Sequence, residues 1–204
     1  MFSGEEVPLE EERLKFISNF TGSAGIAIIS VNPNFKSAIF SDGRYQLQIK
    51  KEVDIKYYDA FNGGFKEVAN TLIKNKHILK KIGIDPWLIT IDQFAYLKDI
   101  SNNLKFLENN LIDEIWFDRP IEIQNKIFEL GTKYTGEDKE SKIERLAATI
   151  LENKFDFYIL FNPMGLCWLL NIRAMDLKHT PVLRAFCFVS KFGEVFVFSK
   201  NKSL

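Results

Sequence analysis

Histidine and cysteine are scarce in this sequence of 204 residues, which contains two of each. Two cysteines, Cys167 and Cys187, are too few for a disulfide framework or a thiolate cluster, so a reducing cytoplasm is the expected location. Paired-metal hydrolases hold two ions with several carboxylates and usually a histidine. His77 and His179 each lack a second histidine at ligand spacing. We therefore assign no metal ligand, catalytic residue or cofactor-binding residue in this chain.

The sequence also lacks net charge and long apolar runs. Lys+Arg and Asp+Glu both number 27, so no overall field attracts nucleic acid or an anionic membrane. The start, MFSGEEVPLEEER, is acidic where a signal peptide carries positive charge, and no apolar stretch approaches the length of a membrane span. The sequence predicts a soluble, cytoplasmic protein whose partners include neither nucleic acid nor a membrane.

Phenylalanine is abundant, with 19 residues spread through both halves of the chain. The hydrophobic fraction of 46% and the charged fraction of 26% are typical of a globular protein with a buried core. Scattered phenylalanines are more often core residues than a stacking platform for bases. We therefore interpret them as core residues.

The first half of the chain alternates helical and strand patterns. A helix is predicted from Leu9 to Phe20, ending at the small-residue run TGSAG, and the spacing predicts another from Phe65 to Lys74. The segments IAIIS and KSAIF, joined by VNPN, predict a hairpin, and KIGID predicts a further strand. Thr90 and Gln93 match a capping box at the start of a helix that runs to about Ile100. This alternation of predicted helices and strands is typical of an α/β domain.

A second series of helical and strand patterns follows Pro120, a residue that disfavours helical conformation at Arg119. The predicted domains are residues 1–119 and 120–204. The second contains a long amphipathic helix from Glu137 to Asn153, then FDFYILF as a mostly apolar strand. Asn162-Pro163 favours a new helix start, and two more strands are predicted at the segments 183–190 and 194–198.

Two turns could carry chemistry. TGSAG lacks the spacing of a phosphate-binding loop and of a nucleophile elbow, so a tight helix-to-strand turn is the preferred interpretation. SDGRY places Asp42, Arg44 and Tyr45 close together after a strand. In one interpretation Asp42 caps the next helix and Arg44 pairs with a local acid. In the other, Arg44 points into a cleft and binds a carboxylate or carbonyl through its fork of donors.

Two sequence blocks, ERLKFISNFTGSAGIAII and SDGRYQLQIK, are similar to the amino-terminal domain of three-domain Xaa-Pro aminopeptidases. The resemblance continues in order through GIDPWLIT, LIDEIWFDRP and CWLLNIRAMDLKHTPVL. In the last segment the family usually has Arg-Gly where this chain has Arg173-Ala174, and Met175 is also unusual there. The resemblance spans residues 7–183 of this sequence.

The resemblance implies an α/β fold with two tandem creatinase/prolidase N-terminal-like domains, each a mixed β-sheet flanked by helices. It also implies that both domains are incomplete, the first without its opening helix and strand and the second without its later part. The family's metal ligands, two Asp, one His and two Glu, belong to a carboxy-terminal catalytic domain of the pita-bread fold. Two divalent ions, commonly manganese, are thus implied for that domain, and no cofactor for this chain.

The function implied is that of the non-catalytic portion of a cytosolic exopeptidase that removes the first residue from peptides with proline second. Implied partners are proline-containing peptides, reached through the full-length enzyme, and either a second copy of the chain or a catalytic domain. In this interpretation Arg44, with Tyr45 beside it, faces the substrate cleft, and the chain alone is inactive. Two alternatives remain open: a standalone, non-enzymatic binding module and a decayed split-gene product.

Overall fold

The computed structural model describes residues 6–100 and 103–202, without the side chain of Ile100. It consists of two compact units. Unit 1 contains residues 10–120, and unit 2 contains residues 121–202 together with the short segment 6–9. The predicted boundary after Arg119 places the segment 6–9 in the first domain, whereas the contacts place it in unit 2.

Unit 1 alternates helices and short strands. Its strands are β1 (Ile26–Ile28), β2 (Ser37–Ser41), β3 (Tyr58–Asn62), β4 (Ile82–Ile84) and β5 (Leu104–Phe106). Its helices are α1 (Arg13–Ser18), α2 (Gln46–Glu52), α3 (Phe65–Lys74), α4 (Ile91–Ile100) and α5 (Leu111–Ile115), with a 3-10 turn at Gly43–Tyr45. A further 3-10 turn, Leu9–Glu11, begins in the segment 6–9 and ends in unit 1. The predicted hairpin is confirmed, because β1 and β2 pair antiparallel with Ile26 opposite Phe40. The bounds predicted for α3 are those of the structure.

The capping box at the start of α4 is also confirmed. The Gln93 N–H donates to the Thr90 hydroxyl at 3.2 Å, and the Thr90 N–H donates to Gln93 Oε1 at 3.0 Å. These two bonds satisfy amide donors that have no partner within a helix. The local sequence therefore fixes where α4 begins.

Unit 1 contains two sheets. The first has the order β1-β2-β3, in which β2 pairs antiparallel with β1 and parallel with β3, so the sheet is mixed. The second is the parallel pair β4-β5. Alternate residues of β2 bury on opposite faces, as strand geometry requires. Phe40 packs with Val68 of α3, whereas Ile39 packs with Phe20 and Ile49, so helices cover both faces.

Unit 2 contains an antiparallel sheet of order β10-β9-β7 and a small pair β6-β8. Its strands are β6 (Phe128–Glu129), β7 (Phe157–Leu160), β8 (Ile172–Arg173), β9 (Ala185–Ser190) and β10 (Val195–Ser199), and its helices are α6 (Thr132–Thr135), α7 (Lys139–Glu152) and α8 (Pro163–Leu169). Asn162 caps α8 as predicted, accepting from the Met164 N–H at 2.9 Å with Pro163 at the first position. Both units are thus α/β, with sheets flanked by helices.

One face of the sheet β10-β9-β7 packs against α7 and α8, and the other face is apolar and exposed. Cys187 and Val189 lie on the packed face and are fully buried with Leu166 and Ile150. We call the other side the aromatic face; its residues are Phe157, Ile159, Phe161, Phe186, Phe188, Phe196 and Phe198. The interpretation of the phenylalanines as core residues is wrong for this face, because five of its six phenylalanines are 36% to 65% exposed.

The helices of the described chain are short, the longest being α7 with 14 residues. None of them is long and apolar enough to cross a membrane.

Candidate functional site

The turn after β2 holds Arg44 through Asp42. The Asp42 carboxylate accepts the backbone N–H of Arg44 at 3.0 Å and so caps the 3-10 turn Gly43–Tyr45. The same carboxylate accepts the Arg44 guanidinium at two points, Nε at 3.0 Å and a terminal nitrogen at 2.8 Å. The side-chain bond from Arg44, joined by the backbone bond, lowers the pKa of Asp42. The carboxylate therefore stays charged and keeps the guanidinium in one orientation.

Arg44 and Tyr45 lie next to each other on the surface of unit 1. The Arg44 side chain is 71% exposed, and its Cζ lies 5.3 Å from the centroid of the Tyr45 ring. This distance is in the range of a cation–π contact. The pair thus presents a guanidinium and a phenol ring side by side, which suits an anionic or carbonyl group of a ligand.

Tyr45 is fixed by the TGSAG turn between α1 and β1. Its hydroxyl is 2.7 Å from the Ser23 hydroxyl, and its ring meets the edge of Phe20 at 5.7 Å between centroids. Gly22 lies where the chain passes these rings, because a Cβ there would be 2.2 Å from Phe20 and 2.8 Å from Tyr45. The turn therefore needs glycine for close approach, and its role as a helix-to-strand turn holds.

Glu52, at the end of α2, ties the same turn to the helix that follows Tyr45. Its carboxylate accepts the Thr21 N–H at 2.8 Å and the Gln48 amide at 3.0 Å. The Thr21 backbone bond is the main cause that lowers the pKa of Glu52. The SDGRY and TGSAG turns thus form one hydrogen-bonded surface, which we call the two-turn surface and define by residues 21–25 and 41–45.

The structure shows the local ion pair of the first interpretation of Arg44. Arg44 does pair with a local acid, Asp42, yet it does so while exposed at the surface. An exposed pair of this kind stabilises a fold weakly. The assignment of Arg44 and Tyr45 to a substrate cleft stays a prediction.

Metal-binding residues do not cluster in the described part of the chain, where no group of three His, Cys, Asp or Glu side chains could hold an ion. His77 and His179 are exposed. Burial raises the pKa of the Cys187 thiol to about 11 and also raises that of Cys167, so both thiols are protonated and poor ligands at neutral pH. The described residues do not fit a dinuclear metal centre.

The segment around Arg173 has a structural explanation in unit 2. One terminal nitrogen of Arg173 donates to the carbonyls of Cys167 and Ile172 at 2.8 and 2.7 Å. Ala174, where the resembled family has glycine, is fully buried. Arg173 therefore stabilises the end of α8 through backbone carbonyls.

Unit 1 contains an apolar groove. It has a volume of about 710 Å³ and lies between β1 and β4, with α3 and α4 as its floor. Its walls come from strands far apart in the sequence, which is why no local pattern indicates it. The alternation of Phe157, Ile159 and Phe161 could have indicated the aromatic face, since this spacing places all three on one side of a strand.

Comparison with protein families assigns both halves of the chain. Residues 9–114 and residues 118–204 each match a family described as the creatinase/prolidase N-terminal domain. The chain therefore belongs to the creatinase/prolidase N-terminal domain family, with two such domains in tandem.

The relatives narrow this class to one group of enzymes. A probable Xaa-Pro aminopeptidase P of Laccaria bicolor is 34% identical over 202 residues, covering 95% of this chain and 31% of the relative. Aminopeptidase P2 of Arabidopsis thaliana is 33% identical over 187 residues, covering 87% and 26%. The chain is thus homologous to the N-terminal part of aminopeptidases P.

A solved structure shows the same architecture. The X-prolyl aminopeptidase of Caenorhabditis elegans, described as a cytosolic enzyme with a di-nuclear active site, matches with a TM-score of 0.85 and 28% identity. The match covers 98% of this chain and 33% of that protein. The chain spans about a third of the length of the relatives it matches.

Proposed function

We propose that this chain is the non-catalytic N-terminal portion of a metal-dependent Xaa-Pro aminopeptidase, where it gates substrate entry and contributes to dimerisation. The observation that carries the proposal is the tandem pair of creatinase/prolidase N-terminal domains, superposing over 98% of the chain on an X-prolyl aminopeptidase. The enzyme it serves is cytoplasmic and acts on peptides with proline in the second position. The metal ions, commonly manganese, belong to the catalytic domain of that enzyme.

The two-turn surface supports the gating part of the proposal. A gate over a peptide site needs groups that recognise backbone carbonyls or carboxylates without moving far. Arg44 meets this need, because Asp42 holds its guanidinium at two points while the side chain stays 71% exposed. Tyr45 is held by Ser23 and Phe20 and adds an apolar wall. A proline-containing peptide offers both carbonyl oxygens and an apolar ring to this pair.

The aromatic face supports the dimerisation part. Its exposed phenylalanines, 36% to 65% accessible, leave on the order of 500 Å² of apolar surface in solvent, at roughly 200 Å² for a whole ring. A stable interface buries about 800 Å² per partner, with an apolar centre and a polar rim. A second copy of the chain can place the same face against it, sheet on sheet. Lys191 and Asp156, which form an ion pair at 2.9 Å, supply polar side chains for the rim.

Activity measurements test the proposal. The purified chain should release no N-terminal residue from an Xaa-Pro peptide, with or without manganese, because its described residues provide no two-metal site. A catalytic portion of a related aminopeptidase, assayed with and without this chain, should discriminate more strongly against long peptides when the chain is present. Manganese-dependent release by the chain alone, abolished by a chelator, would contradict the first expectation. An unchanged peptide-length preference would favour a binding module without a gating role.

A further inference from the structure

Asn62 is the asparagine of this chain that precedes a glycine, Gly63, whereas every other asparagine precedes a larger residue. It is the last residue of β3 and lies opposite Ser41 of β2. The side chain of Asn62 is exposed, and in the described residues β3 pairs only with β2. Solvent water therefore reaches the side-chain amide of Asn62.

The backbone nitrogen of Gly63 is positioned along the chain to attack this amide. Attack on the side-chain carbonyl carbon Cγ of Asn62 forms an N–Cγ bond and breaks the Cγ–Nδ2 bond, and ammonia leaves with the Gly63 proton. The product is a cyclic succinimide. Water then opens the ring by adding OH to a carbonyl carbon and H to the nitrogen. Cleavage of the N–Cγ bond gives aspartate, and cleavage of the original peptide bond gives isoaspartate, whose main chain runs through Cβ and Cγ.

The fold requires glycine at position 63. Gly63 has a φ of 148°, a conformation that residues with a Cβ rarely adopt. An added Cβ would also lie 2.8 Å from the Cβ of Glu67. Because glycine has no Cβ to shield its nitrogen, the residue that this turn requires is also the one that best permits ring closure. The reactive dipeptide is therefore a consequence of the turn between β3 and α3.

Native hydrogen bonding slows the attack. The Gly63 N–H donates to the carbonyl of Ser41 at 2.8 Å. This bond lies just beyond the last pair of the β2–β3 ladder, Ser41 and Asn62. The nitrogen can attack only when the bond is open, and bonds at the end of a ladder open more readily than those of the core. The rate of the reaction therefore depends on how often this end of the sheet opens.

Ser41 connects the reactive dipeptide with the two-turn surface. Its carbonyl also accepts the side-chain amide of Gln46 at 3.1 Å, and Asp42, the next residue, binds the guanidinium of Arg44. An isoaspartate in β3 lengthens the main chain by a carbon atom just before Gly63. The bond from Gly63 to Ser41 is then displaced, and the turn that holds Arg44 loses one of its supports.

We propose that Asn62 is a site of spontaneous deamidation, at which water gives aspartate and isoaspartate through a succinimide formed with Gly63. The isoaspartate form has a weakened end of the β2–β3 ladder and a less ordered two-turn surface. The modification itself is independent of the gating role. Only its effect on the entry of substrate rests on the proposed function.

Incubation of the purified chain at mildly alkaline pH tests the proposal. Peptide mapping by mass spectrometry should show loss of ammonia and gain of water in the peptide that contains Asn62, with separate chromatographic peaks for aspartate and isoaspartate. The reaction should be at least about ten-fold faster in denaturant, where the bond from Gly63 to Ser41 is absent. In the isoaspartate form, the amides of Gly63, Arg44 and Tyr45 should exchange hydrogen faster than in the unmodified chain.

Three controls separate the reaction from general ageing and from the change in charge. Asn34 is also exposed, but Phe35 follows it, so it should remain unmodified in the same sample. Asn62→Ser has no side-chain carbonyl and should show no reaction in its peptide. Freshly prepared Asn62→Asp has the charge of the products with a normal main chain, and its exchange rates at Arg44 and Tyr45 should equal those of the wild type.

The proposal fails if Asn62 remains intact for as long as Asn34 in the folded chain and in denaturant alike. Equal reaction rates in the two conditions would show that the bond from Gly63 to Ser41 gives no protection. If the isoaspartate form and Asn62→Asp have the same exchange rates at Arg44 and Tyr45, the longer main chain does not disturb the two-turn surface, and that part of the proposal is wrong.

Discussion

Arg13 and Asp113 form a two-point ion pair across 100 residues of sequence, with distances of 2.6 Å from Nε and 2.9 Å from a terminal nitrogen. The two side chains are 13% and 29% exposed. Arg119 contacts the same carboxylate at 2.8 Å and donates to the carbonyl of Glu10 at 2.7 Å. The beginning and the end of unit 1 are therefore fastened to one carboxylate.

Replacing Asp113 with Asn should destabilise unit 1 by about 1–3 kcal/mol at neutral pH, because Arg13 and Arg119 then keep only the Glu11 carboxylate as a shared anion. Chemical denaturation followed by circular dichroism measures this loss. Asp118→Asn removes a nearby acid whose side chain takes no part in this cluster, and it should change stability much less.

The same pair should make stability depend on acid. The hydrogen bond from Arg13 lowers the pKa of Asp113 below its ordinary value of 3.8. A carboxylate with a lowered folded-state pKa contributes stability above its unfolded pKa, and that contribution is lost as the pH falls through the folded value. The difference in stability between the wild type and Asp113→Asn should be complete at pH 7 and should shrink below about pH 4. A difference that persists unchanged at pH 2 would contradict this assignment.

Gly22→Ala should disturb the two-turn surface. The added Cβ would lie 2.2 Å from the Phe20 ring, and Phe20 is only 1% exposed, so the ring must move at a cost of about 1–3 kcal/mol. Gly43→Ala is the matched control, since nothing lies within 4 Å of its added Cβ. Thermal melts of the two variants should differ clearly, and equal melting temperatures would show that the turn has room to adjust.

Arg44→Ala should lower kcat/KM by about ten- to a hundred-fold in a full-length aminopeptidase that contains this chain, through the loss of a charge-assisted bond to substrate. Its melting temperature should stay close to that of the wild type, because Asp42 still caps the turn through the backbone N–H. Lys50→Ala, on an exposed position of α2, controls for loss of a surface cation. A lower melting temperature with intact activity per folded molecule would assign Arg44 to the fold instead.

Phe196→Lys should prevent self-association of the chain. Phe196 lies in a row with Phe188 and Ile159 across the three strands, so a lysine there places a charge within the apolar face of both copies. Light scattering after gel filtration should give a dimer for the wild type and a monomer for the variant. Phe117→Lys, at a 94% exposed residue of unit 1, should remain dimeric. A wild-type monomer at all concentrations would exclude the aromatic face as a dimer interface.

Local sequence patterns predicted much of this fold. The bounds of α3, the capping box at Thr90 and the Asn162-Pro163 helix start depend on residues within a few positions of each other, and the structure confirms all three. The strands β6 and β8, at two residues each, were missed because such segments are too short for a periodic pattern. Their pairing is fixed by tertiary contacts.

The candidate site was predictable only in part. The proximity of Asp42, Arg44 and Tyr45 follows from the SDGRY turn alone. The contacts of Tyr45 with Ser23 and Phe20 join residues 22 or more positions apart, and Arg13 and Asp113 lie 100 positions apart. Such contacts depend on how strands and helices pack. Composition and spacing carry no information about them.

Unit 2 takes part of its polypeptide from before unit 1. The Glu6 carboxylate accepts the His179 N–H at 2.9 Å and the Thr180 hydroxyl at 3.0 Å. During synthesis Glu6 leaves the ribosome 173 residues ahead of His179, a delay of roughly 10–35 s at usual elongation rates. Residues 10–120 can fold within this interval, whereas the segment 6–9 cannot form its contacts until His179 and Thr180 have been synthesised. The order of translation thus allows unit 1 to fold before unit 2, which is completed only after the residues around His179 have been synthesised.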